Sequence, residues 1–152
     1  MKRYILLLIT LSSCIDFKNC NKEELDITIE GWRRTDTPIT KVKLYLYNEN
    51  FSIKQDSIEP TFILNHLDTK NPEPTEASII FEESISTKNN YKLIINNKNV
   101  YYINKFNVVE EEKYTAIKKK KFCILKSFNV NGVLVSENSP YFSIRFKKNI
   151  EK

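Results

Sequence analysis

Short runs of alternating apolar and polar residues dominate the chain. In KVKLYLY (41–47), Val42, Leu44 and Leu46 share one side of an extended strand, and Lys41, Lys43, Tyr45 and Tyr47 share the other. Successive side chains of a strand point to opposite faces, so the first set predicts a core face and the second a solvent face. YFSIRFK (141–147) repeats the pattern, with Phe142, Ile144 and Phe146 inward and Tyr141, Ser143, Arg145 and Lys147 outward. Residues rich in Ile, Val, Tyr, Phe and Thr predict further strands over 26–30, 51–55, 61–65, 77–82, 91–96, 100–109, 122–130 and 133–135, the one over 100–109 bent.

Turn chemistry separates these runs. Asn131-Gly132 is the strongest hairpin cue, and Asn96-Asn97 tolerates the positive φ that a tight turn needs. Pro72 and Pro74 mark a loop or edge crossing, because proline cannot donate to a sheet ladder; Pro38 and Pro140 sit before strands. Helical periodicity is weak throughout. Its best candidate, 108–121, orders acids before bases as a helix dipole prefers but has too few apolar residues for an inward face, so a charged loop or single turn competes with a helix there. Short strands with turns every eight to twelve residues predict an all-β fold, a single antiparallel β-sandwich with either immunoglobulin-like or transthyretin-like topology. Trp32, after Gly31 at a strand end, is the expected core plug, with an indole N–H that needs a partner.

The first residues follow another rule. Lys2 and Arg3 precede an apolar run from Tyr4 to Leu11 interrupted by Thr10, and small residues then lead to Cys14, which is the layout of a secretory signal. A membrane-spanning helix needs roughly 20 apolar residues, far more than this run supplies. Leu11-Ser12-Ser13-Cys14 resembles the lipobox of bacterial lipoproteins. The resemblance covers the first 14 residues and implies cleavage before Cys14, a diacylglycerol on its sulfur and acylation of the new amine. It therefore implies a signal peptide over 1–13, a lipidated tether over 14–24 and a sandwich domain over 25–149. By the same resemblance, Ile15 lacks the aspartate that retains some lipoproteins in the inner membrane, which favours an outer-membrane anchor facing the periplasm.

Loss of residues 1–13 leaves 139 residues, enough for one domain with a real core. It removes Lys2 and Arg3, so 22 basic residues face 19 acidic ones and the formal charge falls from +5 to +3. That mild excess, together with export, argues against a nucleic-acid partner. In an oxidising compartment the two remaining cysteines, Cys20 and Cys123, are expected to pair. The bridge would close a loop of about 100 residues, for which chain entropy predicts ~4 to 5 kcal/mol of stabilisation. Cys20 lies six residues from Cys14, so an extended tether spans at most ~20 Å and the domain would sit close to the bilayer.

Catalytic ingredients are few. His66 is the one histidine and no close pair of cysteines occurs, which argues against a structural or catalytic zinc site. A Cys123–His66 nucleophilic pair fits poorly, because Cys123 lies within an alternating strand whereas reactive thiols occupy exposed electropositive niches. Two isolated glycines cannot build a phosphate loop. Glu82-Glu83 and Glu110-Glu111-Glu112 are adjacent carboxylates that a strand would send to opposite faces, so solvated charge explains them better than glycosidic chemistry. The KKKK run at 118–121 reads as a solvated turn guarding an edge strand, with contact to anionic headgroups as the alternative.

No enzyme and no cofactor or metal is therefore expected. Tyrosines interleaved with lysines make good contact surfaces, because a rigid ring buries much area at little entropic cost. Lys43, Tyr45 and Tyr47 on one segment and Tyr141 and Arg145 on another are the expected binding residues for a protein partner, with the membrane reached through the lipid. The overall plan is similar to small periplasmic immunity lipoproteins, which block a delivered toxin sterically. The competing class is a structural or assembly lipoprotein of a cell-envelope or secretion complex.

Overall fold

The computed structural model describes residue 20 and residues 22–33, 36–48, 50–52, 54–65, 76–114, 119–139 and 143–150. The expectations that fall on Cys14, His66, Pro72, Pro74, Pro140, Tyr141 and Phe142 lie outside these residues. Ten strands follow in order: β1 (Lys22–Glu30), β2 (Val42–Tyr47), β3 (Lys54–Ile58), β4 (Phe62–Asn65), β5 (Glu76–Ser86), β6 (Asn90–Ile95), β7 (Asn99–Tyr114), β8 (Lys119–Val130), β9 (Val133–Ser139) and β10 (Ser143–Lys147). They form a four-stranded sheet ordered β10-β1-β5-β4 and a six-stranded sheet ordered β3-β2-β6-β7-β8-β9, and the two pack as a β-sandwich.

Alternation decides what each sheet buries. Leu25, Ile27 and Ile29 of β1 meet Ala77, Ile79 and Phe81 of β5 and Ile144 and Phe146 of β10 on one side of the core. Val42 and Leu44 of β2, Tyr91, Leu93 and Ile95 of β6 and Ile103 of β7 face them from the other sheet. Burying a side chain of this size contributes about 1.5 to 3 kcal/mol relative to leaving it in water, and these strands supply that gain at every second residue. In β8 the register shifts between Leu125 and Ser127, so Leu125, Phe128 and Val130 all point inward although the spacing breaks strict alternation.

All strand pairings are antiparallel except β1 with β10, which runs parallel from Asp26↔Ser143 to Glu30↔Lys147. In the immunoglobulin arrangement the first two strands are neighbours in one sheet. Here β1 and β2 fall in opposite sheets. The expected hairpins form. Asn131 and Gly132 adopt φ of 51° and 81° between the paired residues Val130 and Val133, and Asn96 and Asn97 adopt 51° and 57° between Ile95 and Asn99. Trp32 is 1% exposed, and its Nε1 donates to the Thr37 carbonyl at 3.3 Å.

Three elements differ from expectation, the first being β3, which spans Lys54–Ile58 where a strand over 51–55 was expected. β1 begins at Lys22, three residues ahead of the expected domain start, and pairs there with Ser86. Of the segment 108–121, where a helix competed with a charged loop, the described residues 108–114 and 119–121 instead extend β7 and β8 as a ribbon, with Glu110 opposite Cys123 and Glu112 opposite Lys121. Its acids and bases meet across the strands rather than along a helix: Lys121 Nζ lies 2.5 Å from Glu110 Oε1, and Lys119 pairs with Glu112. The acid-before-base order that suits a helix dipole suits an antiparallel ribbon equally well, because the two halves fold back on each other.

A cation-aromatic face on the six-stranded sheet

The outward positions of β2 fall into cross-strand rows. Tyr45 lies opposite Lys92 of β6, which lies opposite Tyr102 of β7; Lys43 lies opposite Ile94, which lies opposite Val100. The three-residue turn at Asn96 to Lys98 fixes this register. It is held from outside as well, since Asn96 Oδ1 accepts from the Thr40 and Lys41 amides at 2.9 and 3.1 Å and its Nδ2 donates to the Pro38 carbonyl at 2.8 Å.

Lysines lie over the rings of these rows. Lys54 Nζ sits 4.3 Å from the centroid of Tyr45, and Lys92 Nζ sits 5.5 Å from that of Tyr102. Such contacts hold an ammonium above a ring without neutralising it. Among the described residues no carboxylate pairs with Lys43, Lys54 or Lys92, so their charge remains available.

Phe51 completes the face. It belongs to the turn between β2 and β3, where its amide donates to the Asn48 carbonyl at 3.1 Å and Asn48 Oδ1 accepts from the Ser52 amide at 3.0 Å. Its φ of 55° is rare for a bulky residue and directs the ring back over the sheet. The ring stands 5.6 Å from Tyr47 and 5.6 Å from Tyr102, edge-on to the latter at 84°. Aromatic pairs in this geometry contribute about 0.5 to 1.5 kcal/mol beyond area burial, which offsets part of the backbone cost. The outcome is an aromatic cluster of Tyr47, Phe51 and Tyr102 beside Tyr45, with Lys43, Lys54 and Lys92 on the same face and Tyr102 43% exposed.

Of the residues expected from the sequence, Lys43, Tyr45 and Tyr47 lie together on this face. Arg145 does not join them. It projects from the outer face of the other sheet, where its Nη1 donates to Glu76 Oε1 at 3.1 Å and lies 3.8 Å from Glu30. The two segments read alike in sequence, yet β2 and β10 belong to opposite sheets, so their polar faces point away from each other. Tyr101, next to Tyr102 in β7, is buried instead; its hydroxyl donates to the Lys148 carbonyl at 3.0 Å, and burial pushes its pKa up to about 12. Cys20 and Cys123 form a disulfide with Cα atoms 5.4 Å apart.

Phe51, Lys54, Lys92 and Tyr102 were not singled out from the sequence as a group. The signal for two of them was present: a turn centred on Asn97 forces Lys92 opposite Tyr102. The signal for Phe51 was hidden, since it reads as the first residue of a strand and becomes a turn residue only through Asn48. No group of three His, Cys, Asp or Glu side chains suited to a metal occurs among the described residues. No family model matches the chain, and neither curated proteins nor solved structures show a match to it.

Proposed function

We propose that this protein is a lipid-tethered, non-enzymatic binding module of the bacterial cell envelope that docks on another protein through the outer face of β2, β6 and β7. The single observation that carries this reading is the convergence of Tyr45, Tyr47, Phe51 and Tyr102 with Lys43, Lys54 and Lys92 on one face of the six-stranded sheet. Rings held by neighbours lose little freedom on binding, and aromatic residues dominate interface energetics. Lysines that pair with no carboxylate among the described residues favour a partner bearing carboxylates and speed its approach.

The lipobox at Leu11 to Cys14 supports an acyl anchor at Cys14, and the disulfide suits an oxidising compartment. An anchored inhibitor held where foreign toxins arrive accounts for both features, so the favoured role is an immunity protein that blocks a delivered toxin sterically from the periplasmic side of the outer membrane.

The test compares partner capture by the parent chain with capture by two charge-reversed variants. Lys43→Glu combined with Lys92→Glu should lose the captured protein while the thermal midpoint stays unchanged. Arg145→Glu, on the opposite face, should retain it. Retention by the first variant and loss by the second would place the docking surface elsewhere.

A further inference from the structure

We infer that the projecting β7–β8 ribbon is a second membrane contact, laid on an anionic lipid surface through Tyr114, Lys119 and Lys121. This inference rests on the lipid anchor at Cys14 proposed above.

The geometry follows from which ends of the strands lie together. Cys20, just ahead of β1, is bonded to Cys123 of β8. At the other end the Lys148 amide donates to the Glu30 carbonyl at 2.8 Å, and Asn131 Nδ2 reaches the Ile150 carbonyl at 3.4 Å. β1 and β8 therefore run the same way along the sandwich. The part of β8 that precedes Cys123 lies beyond the disulfide, at the end of the sandwich where β1 begins. Four residues separate Cys123 from Lys119, an extension of ~13 Å at ~3.3 Å per residue. The six residues from Cys20 back to Cys14 span at most ~20 Å. A bilayer that holds acyl chains at Cys14 is thus kept within a distance of which the ribbon already covers more than half.

Charge points the same way. Residues 113–121 contain five lysines and no acid. Glu110 and Glu112 engage Lys121 and Lys119; over 110–121 five lysines stand against three glutamates, a net charge of +2, and the register sets Lys113 opposite Lys120, so that like-charged residue types occupy facing positions. Exposed ion pairs of this kind are weak and yield readily to a phosphate. An anionic bilayer attracts basic segments held within a Debye length of its surface, and the tether provides that proximity. Tyr114 is 82% exposed and packs on no core element, with Lys119 Nζ 5.8 Å from its ring centroid. Amphipathic rings beside lysines settle at headgroup level. The cation-aromatic face differs, because its rings Tyr47, Phe51 and Tyr102 contact one another across the sheet, whereas Tyr114 stands almost wholly exposed.

The test uses the full chain, acylated in a bacterial host, with Tyr114→Trp as reporter on vesicles of phosphatidylglycerol and phosphatidylcholine with brominated acyl chains. Trp32, buried in the core, supplies the unquenched background seen in the parent chain. The expected result is quenching of the added indole that is lost in phosphatidylcholine vesicles and in Lys119→Glu/Lys121→Glu. Intact mass separates the failures. An acylated chain whose reporter stays unquenched overturns the ribbon contact and leaves the anchor standing, whereas an unacylated chain overturns both. Equal quenching on neutral and anionic vesicles, or in the charge-reversed variant, overturns recognition of anionic lipid.

Discussion

Asp26 carries a carboxylate oxygen that is shielded from solvent and has no hydrogen-bond partner. Burial pushes its pKa above the ordinary carboxylate value, and nearby Arg145 opposes the rise only in part. The folded state thus binds the Asp26 proton more tightly than the unfolded chain does. Ionised Asp26 therefore costs stability, and the cost grows as pH rises from the unfolded pKa near 3.8 through the higher folded value. Asp26→Asn should raise the thermal midpoint at pH 7, and the gain should vanish near pH 3; scanning calorimetry at both pH values checks this. Tyr91 is the opposite case. Its hydroxyl donates to the Ser86 carbonyl at 2.7 Å and accepts from the Ser86 amide at 2.9 Å, while burial pushes its pKa up to about 12. Tyr91→Phe should cost about 0.5 to 1.5 kcal/mol in urea unfolding, because the part-buried Ser86 amide loses its side-chain acceptor while the Ser86 carbonyl keeps the Asn89 amide at 3.1 Å. At this scale the sequence was legible where a residue has a single structural role, as with Trp32, which plugs the core and finds a partner for its indole. It was not legible for Tyr101 and Tyr102, which alternation assigns to opposite faces without saying which face is inward.

Strands and turns were read more securely than surfaces. Asn131-Gly132 and Asn96-Asn97 both form the turns their side chains permit, since asparagine and glycine accept positive φ at low cost. Gly132→Val, forced to a φ of 81°, should destabilise the hairpin by about 1 to 2 kcal/mol, measurable by equilibrium denaturation. The ribbon was misjudged because period-two signals need apolar residues, and charge replaces them there. β6 pairs with β7 only as far as Ile103, so the ribbon has one neighbour where the sheet interior has two. Amides of 109–114 should exchange with deuterium much faster than those of Leu93 and Ile103, as expected for backbone with few buried apolar contacts. Equal protection would mean that another strand covers the ribbon edge.

Across the whole molecule, the pairing of Cys20 with Cys123 joins the start of the four-stranded sheet to the long hairpin of the six-stranded one over a separation of 103 residues. Cys20→Ser/Cys123→Ser should lower stability by about 4 to 5 kcal/mol if loop entropy dominates. Pairwise cysteine logic anticipated this link, and binary patterning anticipated two facing sheets. Neither could tell that β2 and β10 present their polar faces in opposite directions. That outcome depends on sheet order, which is set by long-range pairing such as the parallel β1–β10 contact. The central claim is that one face, bearing Lys43, Lys54 and Lys92, meets the partner. Acylation footprinting of lysines with and without the captured partner tests it directly. Modification of Lys43, Lys54 and Lys92 should slow with Lys147 of the opposite sheet unchanged; unchanged rates at the first three with protection at Lys147 would place the docking face on the other sheet.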